Sequence, residues 1–409
     1  MPTPVQSESS AVANQTEPYR VMVVDDSAVI RGFLTRYLEA ENTIKVVATA
    51  ANGAMALRNL GHARPDVVVL DIEMPEMDGL MALPKILEAA PDVRVVMAST
   101  LTHKNAEVSL RCIRMGAADY VPKPASKQEV NASLDFRREL VEKVKVYAAA
   151  RRKLLGQPQP GGRLPASARP SPAAGSEPRS RSYEHYGRTR SAAAPTTVRP
   201  LSDSGRDIVL RAPSRSRPDI LAVAASTGGP QALIDFFSRA RSFVERLPVL
   251  VVQHMPATFT AILADHLSRA SGLDCAEATD GIRPKAGHVY IAPGGYHLTV
   301  RRDGAGTALA LDRNEPENFC RPAVDPLFRS LAEVYGSRAL AVVLTGMGHD
   351  GLRGARTLVQ AGATLIAQDE PSSVVWGMPG AVATAGLCAA VAPLSDMPRT
   401  VEKFLGTGR

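Results

Sequence analysis

Residue types that stabilise secreted and membrane proteins are scarce in this chain of 409 residues. Its 4 cysteines, Cys112, Cys275, Cys320 and Cys388, are scattered without the spacing of a metal site, so we expect reduced thiols in the core. No run of about 18 apolar residues is present, which argues against a membrane-spanning helix. The first residues also lack the basic and apolar regions of a secretory signal. We therefore predict a soluble, cytoplasmic protein.

The excess of positive charge is local. The net charge is +7, but residues 151–217 alone hold 14 basic and 4 acidic side chains, so the rest of the chain is slightly acidic. This distribution argues against a DNA-binding domain. The same stretch is rich in Pro, Ser, Ala, Gly and Arg and has no apolar periodicity, which is typical of a flexible linker. Its arginines could instead contact an acidic partner or a membrane surface.

The composition shifts divide the chain into four parts. We predict a disordered N-terminus (1–17), a first domain (18–145), a linker (146–217) and a second domain (218–409). In the first domain, predicted strands alternate with helices that start near residues 28, 54, 80, 104 and 128. The strands cover residues 20–24, 45–50, 66–70, 94–98 and 119–121. This alternation predicts a five-stranded parallel sheet with helices on both faces.

Polar side chains follow the strands of the first domain where each strand ends. They are Asp25, Asp26, Asp71, Ser99 and Lys123. Carboxylates brought together repel one another by about 4 kcal/mol per close pair at an effective dielectric constant near 20, and an oxygen-only set of this kind suits Mg²⁺. Asp71 could then attack a phosphoryl donor while the metal and Lys123 neutralise the charge. The alternative is a set of surface aspartates that cap helices.

The second domain contains a strand, a turn and a helix that present one hydroxyl group. Residues 219–225 form an apolar run, Ser226 follows, and residues 231–240 have helical periodicity. Gly228 and Gly229 allow a sharp turn, and free N–H groups at a helix N-terminus bind negative charge. Ser226 is therefore a candidate nucleophile. The alternative is that it only caps the helix.

Two further strand ends supply possible partners for Ser226. His254 follows the apolar strand 248–253, and Asp350 lies in a glycine-rich loop after strand 340–345. The carboxyl ends of strands near a switch in strand order face one crevice, so these side chains can converge. His254 would act as the base and Asp350 would orient it, with the backbone N–H groups of Thr227 and Met347 as oxyanion donors.

His349 is a rival candidate for the base. It is adjacent to Asp350 in the sequence, however, and the side chains of adjacent residues seldom point to the same place, so His254 is preferred. The chain order Ser, His, Asp and the lack of a G-x-S-x-G motif argue against an α/β-hydrolase.

Alternating residues at 287–293 and 296–300 predict two strands joined by a turn at 293–295. The predicted fold is a doubly wound α/β domain with a β-hairpin insertion.

The first domain resembles the receiver domains of two-component systems, which have a flavodoxin-like fold. The resemblance rests on VVDDS at 23–27, LDIEMPEMDG at 70–79 and DYVPKP at 119–124. It implies that Asp71 is the phosphoacceptor, that Asp25 and Asp26 help to bind Mg²⁺, and that Ser99 is the switch hydroxyl. Tyr120 would be the switch aromatic and Lys123 the phosphate-contacting lysine.

The second domain is similar to the catalytic domain of chemotaxis protein-glutamate methylesterases, the CheB family. The similarity rests on five motifs: ASTGGP at 225–230, QHMP at 253–256, APG at 292–294, LTGMGHDG at 344–351 and GMP at 377–379. It implies a Ser226, His254, Asp350 triad and an oxyanion site near Met347. It also implies hydrolysis of glutamate methyl esters, and deamidation of glutamines, on methyl-accepting chemotaxis receptors.

The two resemblances together imply phosphorylation-regulated sensory adaptation. A histidine kinase would be the phosphodonor, Mg²⁺ the cofactor of the receiver domain, and the esterase reaction would need no cofactor. The enzyme would not itself be a membrane protein but would act at membrane-bound receptor arrays, without binding nucleic acid. Two alternatives stay open: a response regulator with a non-catalytic or DNA-binding output domain, and the same esterase in a chemotaxis-like pathway unrelated to motility.

Overall fold

The structure is a computed structural model that describes residues 17–100, 102–123, 134–160, 208–304 and 306–406. The predicted N-terminal tail up to residue 16, the helix predicted near Gln128 and linker residues 161–207 lie outside the described residues. In the part of the chain that is described, no helix is both long and apolar enough to cross a membrane.

The N-terminal domain is a five-stranded parallel sheet in the order β2-β1-β3-β4-β5. The predicted strands agree with the observed ones apart from small differences at their ends. The elements are β1 (Tyr19–Val24), α1 (Ala28–Glu39), β2 (Ile44–Ala50), α2 (Gly53–Ala63), β3 (Val67–Asp71), α3 (Gly79–Ala89), β4 (Arg94–Thr100), α4 (His103–Arg114), β5 (Asp119–Lys123) and α5 (Leu134–Leu154).

Helices α1 to α4 each begin at a polar capping residue. The side chains of Ser27, Asn52, Asp78 and Thr102 accept hydrogen bonds from backbone N–H groups in the first turn. These caps satisfy donors that the helix itself cannot pair. The connections that follow β1, β2, β3 and β4 therefore end at defined points and leave the strand-end carboxylates at one edge of the sheet.

The C-terminal domain is built on a seven-stranded parallel sheet in the order β14-β13-β12-β6-β7-β9-β8. The strands are β6 (Ile220–Ala225), β7 (Val249–Gln253), β8 (Asp274–Glu277), β9 (His288–Ile291), β10 (His297–Asp303), β11 (Gly306–Asp312), β12 (Ala339–Val343), β13 (Thr364–Gln368) and β14 (Ala390–Ala392). The helices are α6 (Gly229–Phe237), α7 (Arg241–Val244), α8 (Ala257–Ser271), α9 (Val324–Val334), α10 (Leu352–Gln360), α11 (Met378–Thr384) and α12 (Met397–Gly406).

The chain starts this sheet in its middle, at β6, and later returns to pair β12 with the other edge of β6. The strand order therefore reverses at β6. A crevice forms at the carboxyl ends of parallel strands at such a point. β12, β6 and β7 are adjacent, so the loops that follow them meet.

The predicted pairing of the hairpin is wrong, although a hairpin is present. Strand β9 pairs in parallel with β7 and β8, whereas β10 pairs antiparallel with β11. Val289, Tyr290 and Ile291 in β9 are all buried, as expected for a strand covered on both faces. β10 buries Leu298 and Val300 but leaves its last residues exposed, which is the pattern of a strand with one solvated face.

The folded domains extend into both ends of the predicted linker. Helix α5 continues past residue 145 to Leu154, and its Arg152 is buried between Asp66 and the backbone carbonyls of Glu17 and Pro18. At the other end, Ser214 bonds to the Thr364 side chain. The structured parts of both domains are therefore longer than the composition indicates.

The two domains share a packed interface. Helix α4 contacts α8 and α6 of the C-terminal domain, and buried residues of both domains belong to one apolar cluster. At its centre, the ring of Tyr120 stacks on Phe259 with ring centroids 4.4 Å apart and an interplanar angle of 8°. The guanidinium of Arg138 lies 4.1 Å from the ring centroid of Phe319. A third contact, the ion pair between Lys153 and Glu370, joins the domains at 3.6 Å.

Candidate active site and phosphorylation site

Ser226 lies directly after β6, at the centre of the crevice. Its N–H donates to the carbonyl of Thr345, which follows β12, and its carbonyl accepts from Gly229 in the first turn of α6. Gly228 adopts a φ of 74°, a left-handed conformation that side chains disfavour. Gly346 lies so close that a Cβ there would be 3.0 Å from the Cβ of Ser226. The local backbone therefore fixes the serine tightly.

The structure brings Ser226, His254 and Asp350 together. The Oγ of Ser226 lies 3.1 Å from Nδ1 of His254, and Nε2 of His254 lies 2.7 Å from Oδ2 of Asp350. The imidazole thus uses Nδ1 toward serine and Nε2 toward aspartate, the reverse of the chymotrypsin arrangement. The His254 side chain is 12% exposed and that of Asp350 2% exposed. A reacting group can therefore reach the imidazole while the carboxylate stays shielded from water.

Cys320 is a neighbour of the imidazole that the sequence did not reveal. Its Sγ lies 3.4 Å from Nδ1 of His254, the nitrogen that also faces Ser226. Burial lowers the pKa of His254, whereas Cys320 and Asp350 raise it, and the net shift is upward, to about 10. The neighbours therefore favour the protonated imidazole, which must lose its proton before it can act as a base.

Asp350 is held by several donors besides His254. The backbone N–H groups of Val324, Asp325 and Gly351 bond to its carboxylate at 2.6, 3.2 and 2.8 Å. Burial raises the pKa of Asp350, but the hydrogen bonds from His254 and from the backbone together lower it by more, so the net shift is downward. The carboxylate is therefore ionised and fixed in place.

Asn318 is a further contact of Asp350 that sequence reasoning missed. Its Nδ2 donates to Oδ1 of Asp350 at 2.9 Å and to Oδ2 of Asp325 at 3.1 Å. Asn318 lies in a loop before α9 rather than at a strand end, so the strand-end pattern could not identify it. The only sequence signal is an asparagine shortly before the segment that forms α9.

Thr227 and Met347, the predicted oxyanion donors, flank Ser226 from two loops. Within the described part of the chain, neither backbone N–H has a hydrogen-bond acceptor. The loop position of each group therefore leaves a donor free for a developing negative charge. Their role stays a prediction.

Three other histidines of the C-terminal domain have different surroundings. The rival base His349 is exposed, and His297 is buried with its imidazole bonded to the backbone of Ala323 and Glu315. His266 is buried in α8, and burial lowers its pKa to about 4. Among the described residues, His254 is the histidine that is hydrogen-bonded to the Ser226 hydroxyl.

A second polar cluster lies at the edge of the N-terminal sheet. Asp25, Asp26 and Asp71 each offer a carboxylate oxygen, and these atoms lie within 4.8 Å of one another. The Nζ of Lys123 lies 2.6 Å from Asp71 and 3.0 Å from Asp25. Three hard oxygen donors at this separation fit a divalent cation such as Mg²⁺. Four of the five side chains predicted at the strand ends therefore lie together.

Asp71 is buried at the end of β3, and this burial changes its chemistry. Burial raises its pKa, the Lys123 ammonium lowers it, the nearby Asp25 raises it, and the net shift is upward, to about 6. The carboxylate is thus kept ionised at neutral pH mainly by its cationic partner. A residue in this state is a weak base and a possible phosphoryl acceptor.

Ser99 and Tyr120 lie on β4 and β5 of the same sheet. The Oγ of Ser99 is fully buried and lies 2.8 Å from the Oγ of Ser109 in α4. Tyr120 is 3% exposed because its ring is covered by Phe259 of the other domain. The predicted switch aromatic therefore lies in the domain interface.

Known proteins resemble the chain in both of its halves. The family described as CheB methylesterase matches residues 221–401, and the response regulator receiver domain matches residues 21–135. The crystal structure of the Thermotoga maritima CheB methylesterase catalytic domain is 40% identical, with a TM-score of 0.44, and the match covers 46% of this chain and 97% of that one. The two family matches do not favour the alternative of a DNA-binding output domain.

Full-length relatives extend the similarity across both domains. A protein-glutamate methylesterase/protein-glutamine glutaminase 1 from Paramagnetospirillum magneticum is 50% identical over 95% of this chain and 97% of its own length. The protein-glutamate methylesterase/protein-glutamine glutaminase of group 2 operon from Rhodospirillum centenum is 50% identical over 98% of both chains. The chain therefore belongs to the protein-glutamate methylesterase/protein-glutamine glutaminase family, with an N-terminal receiver domain and a C-terminal CheB methylesterase domain.

Proposed function

We propose that this protein hydrolyses methyl esters of glutamate side chains on methyl-accepting chemotaxis receptors, with Ser226, His254 and Asp350 as its catalytic triad. The observation that carries the proposal is the hydrogen-bonded series from the Ser226 hydroxyl through both nitrogens of His254 to the Asp350 carboxylate. Family membership supplies the substrate class. The geometry supports the proposed roles of the residues.

In the first half of the reaction, the Oγ of Ser226 attacks the ester carbonyl carbon while Nδ1 of His254 accepts the hydroxyl proton. The oxyanion of the tetrahedral intermediate accepts hydrogen bonds from the N–H groups of Thr227 and Met347, each worth about 3 to 4 kcal/mol. His254 then returns the proton to the leaving methoxide. Methanol departs and an acyl-enzyme ester remains on Ser226.

In the second half, water attacks the acyl-enzyme and gives its proton to His254. The tetrahedral intermediate collapses, Ser226 regains its proton and a glutamate carboxylate is released. A glutamine side chain enters the same sequence with ammonia as the leaving group. One site thus accounts for both the methylesterase and the deamidase activity.

The receiver domain would take a phosphoryl group on Asp71 from a histidine kinase. Asp25, Asp26 and Asp71 would hold Mg²⁺, which supplies positive charge against the phosphoryl oxygens when it is bound. The Lys123 ammonium, already bonded to Asp71, adds a second positive charge. Phosphorylation adds about −1.5 to −2 charge at this position.

The interface between the domains supports regulation by blocking. The receiver contacts α8, Glu370 and Phe319, and Phe319 is next to Cys320, whose Sγ faces His254. In this proposal, the docked receiver domain keeps a bulky receptor helix away from the serine. We infer that phosphorylation reorganises Ser99 and Tyr120 and so weakens the docking.

The predicted cytoplasmic location and action at membrane-bound receptor arrays belong to this proposal. The pathway that the receptors serve could be chemotaxis or a chemotaxis-like system, since the catalytic residues would be the same in both. Purified receptors from each system, compared as substrates, separate these two possibilities.

The test is methanol release from a methylated receptor. Ser226→Ala is expected to abolish release, and Asp71→Ala is expected to remove stimulation by a phosphodonor while basal release continues. Unchanged release from the Ser226 variant would refute the mechanism. Persistent stimulation of the Asp71 variant would refute its role as phosphoacceptor.

A further inference from the structure

Asn318 lies at the first central position of a tight turn between Glu317 and Cys320. Glu317 and Cys320 exchange two backbone hydrogen bonds, of 3.1 and 2.9 Å. Asn318 and Phe319 between them have φ values of 51° and 64°. Two successive positive φ values define a type I′ turn, in which asparagine and glycine are favoured. The backbone alone therefore explains an asparagine here, but not the direction of its side chain.

The amide of Asn318 connects two buried carboxylates. Asp350 is 2% and Asp325 1% exposed, and the two N–H bonds of the amide serve one carboxylate each. Because carboxylates only accept hydrogen bonds, the nitrogen rather than the oxygen of the amide must face them. Asp325 in turn accepts from the N–H of Gly354 at 2.6 Å, so the same connection reaches the first turn of α10.

The turn itself is tied to the body of the domain. Arg329 of α9 binds the carboxylate of Glu317 through both of its terminal nitrogens. Among the backbone donors, the N–H of Val324 bonds to Oδ2 of Asp350, and the N–H groups of Asp325 and Gly351 bond to Oδ1. The amide of Asn318 adds a side-chain donor to Oδ1 from the turn at 317–320, and this further bond restrains rotation of the carboxylate away from His254.

We propose that Asn318 is a positioning residue for the reaction, and that its amide holds the Asp350 carboxylate in the orientation that keeps Nε2 of His254 protonated and Nδ1 free to accept a proton from Ser226. The inference rests on the proposed function. Asn318 touches neither the substrate nor the reacting atoms. It acts through Asp350.

Two substitutions separate the side chain from the turn. Asn318→Gly removes the amide and suits a type I′ turn at least as well as asparagine does. Asn318→Asp keeps the shape but replaces the donor with an acceptor and places a third carboxylate between two others. The matched control is Asn314→Gly, which deletes an exposed amide near the same turn.

We expect kcat for methanol release by the full-length protein to fall about 10- to 100-fold in Asn318→Gly, as when a hydrogen bond to a charged group is lost, and further in Asn318→Asp. KM should change by less than about 2-fold. The downfield proton resonance of the His254 to Asp350 hydrogen bond should broaden or shift in both variants and stay unchanged in Asn314→Gly.

Wild-type kcat in Asn318→Gly or Asn318→Asp, a loss confined to KM, or an equal loss in Asn314→Gly would overturn the inference. If one variant fails to fold, the other decides; if neither folds, Asn318 is a structural residue and the inference is wrong. Ser226→Ala keeps the two proposals apart. If Ser226→Ala is active, the proposed function is wrong. If Ser226→Ala is inactive but the Asn318 variants keep wild-type activity, only the positioning role is wrong.

Discussion

Phe259→Leu should raise the basal activity of the unphosphorylated enzyme. Phe259 is fully buried and stacks on Tyr120 across the domain interface. Leucine keeps most of the apolar area but removes the stacking, which is worth about 0.5 to 1.5 kcal/mol beyond burial. Since 1.4 kcal/mol corresponds to a factor of ten, the population with an open crevice rises about 2- to 13-fold. Basal methanol release should rise by the same factor.

The assay measures methanol release from a methylated receptor with and without acetyl phosphate. Release from fully phosphorylated enzyme should be the same in the variant and the wild type, because phosphorylation already opens the crevice. Phe243→Leu is the matched control: this phenyl group is also fully buried in the C-terminal domain, but its ring contact is with Phe236 of the same domain. The double variant with Tyr120→Leu should be no more active than the more active single variant. Basal activity that is unchanged in Phe259→Leu, or equally raised in Phe243→Leu, would refute blocking by this contact.

Three further outcomes follow from the two sites. Asp71→Asn should stabilise the receiver domain at pH 7 by on the order of 1 to 3 kcal/mol, because the pKa of Asp71 is raised to about 6 and folding therefore disfavours its ionised form. This gain should disappear as the pH falls from 6 toward 4. Denaturant titrations at several pH values will measure it. Cys320→Ser should move the acid limb of the kcat/KM profile to lower pH, because Cys320 raises the pKa of the base His254; a limb that does not move would contradict the contact. Asp350→Asn should lower kcat on the order of 10³- to 10⁴-fold with the fold intact, since the amide no longer selects the tautomer of His254, and steady-state kinetics with a circular dichroism control will check it.

The side chains at strand ends could be located from the sequence because each buried parallel strand is an apolar run that ends at the carboxyl edge of the sheet. A run such as residues 220–225 is apolar throughout, so it must be buried on both faces, and the first polar residue after it lies at the carboxyl edge. The same reasoning located Ser226, His254 and Asp71. It needs no knowledge of which strands are neighbours, only that all run in one direction.

The residues that sequence reasoning missed depend on contacts between loops. Asn318 reaches Asp350 only because a type I′ turn and the start of α9 pack against the β12 loop, and nothing local to residue 318 encodes that approach. The wrong hairpin has a related cause. Residues 288–291 and 296–300 have similar patterns, and only burial on both faces of β9 shows which segment joins the main sheet.

The stacking of Tyr120 on Phe259 should also influence phosphorylation of the receiver domain. Coupling between two sites is reciprocal, so if phosphorylation loosens the docked domain, then docking must equally disfavour phosphorylation. A receptor that occupies the crevice would compete with the receiver for it, leaving the tyrosine ring free to rearrange. Such an enzyme would accept a phosphoryl group on Asp71 more readily where receptors are abundant. Adaptation would then be concentrated at dense receptor clusters without any additional sensor.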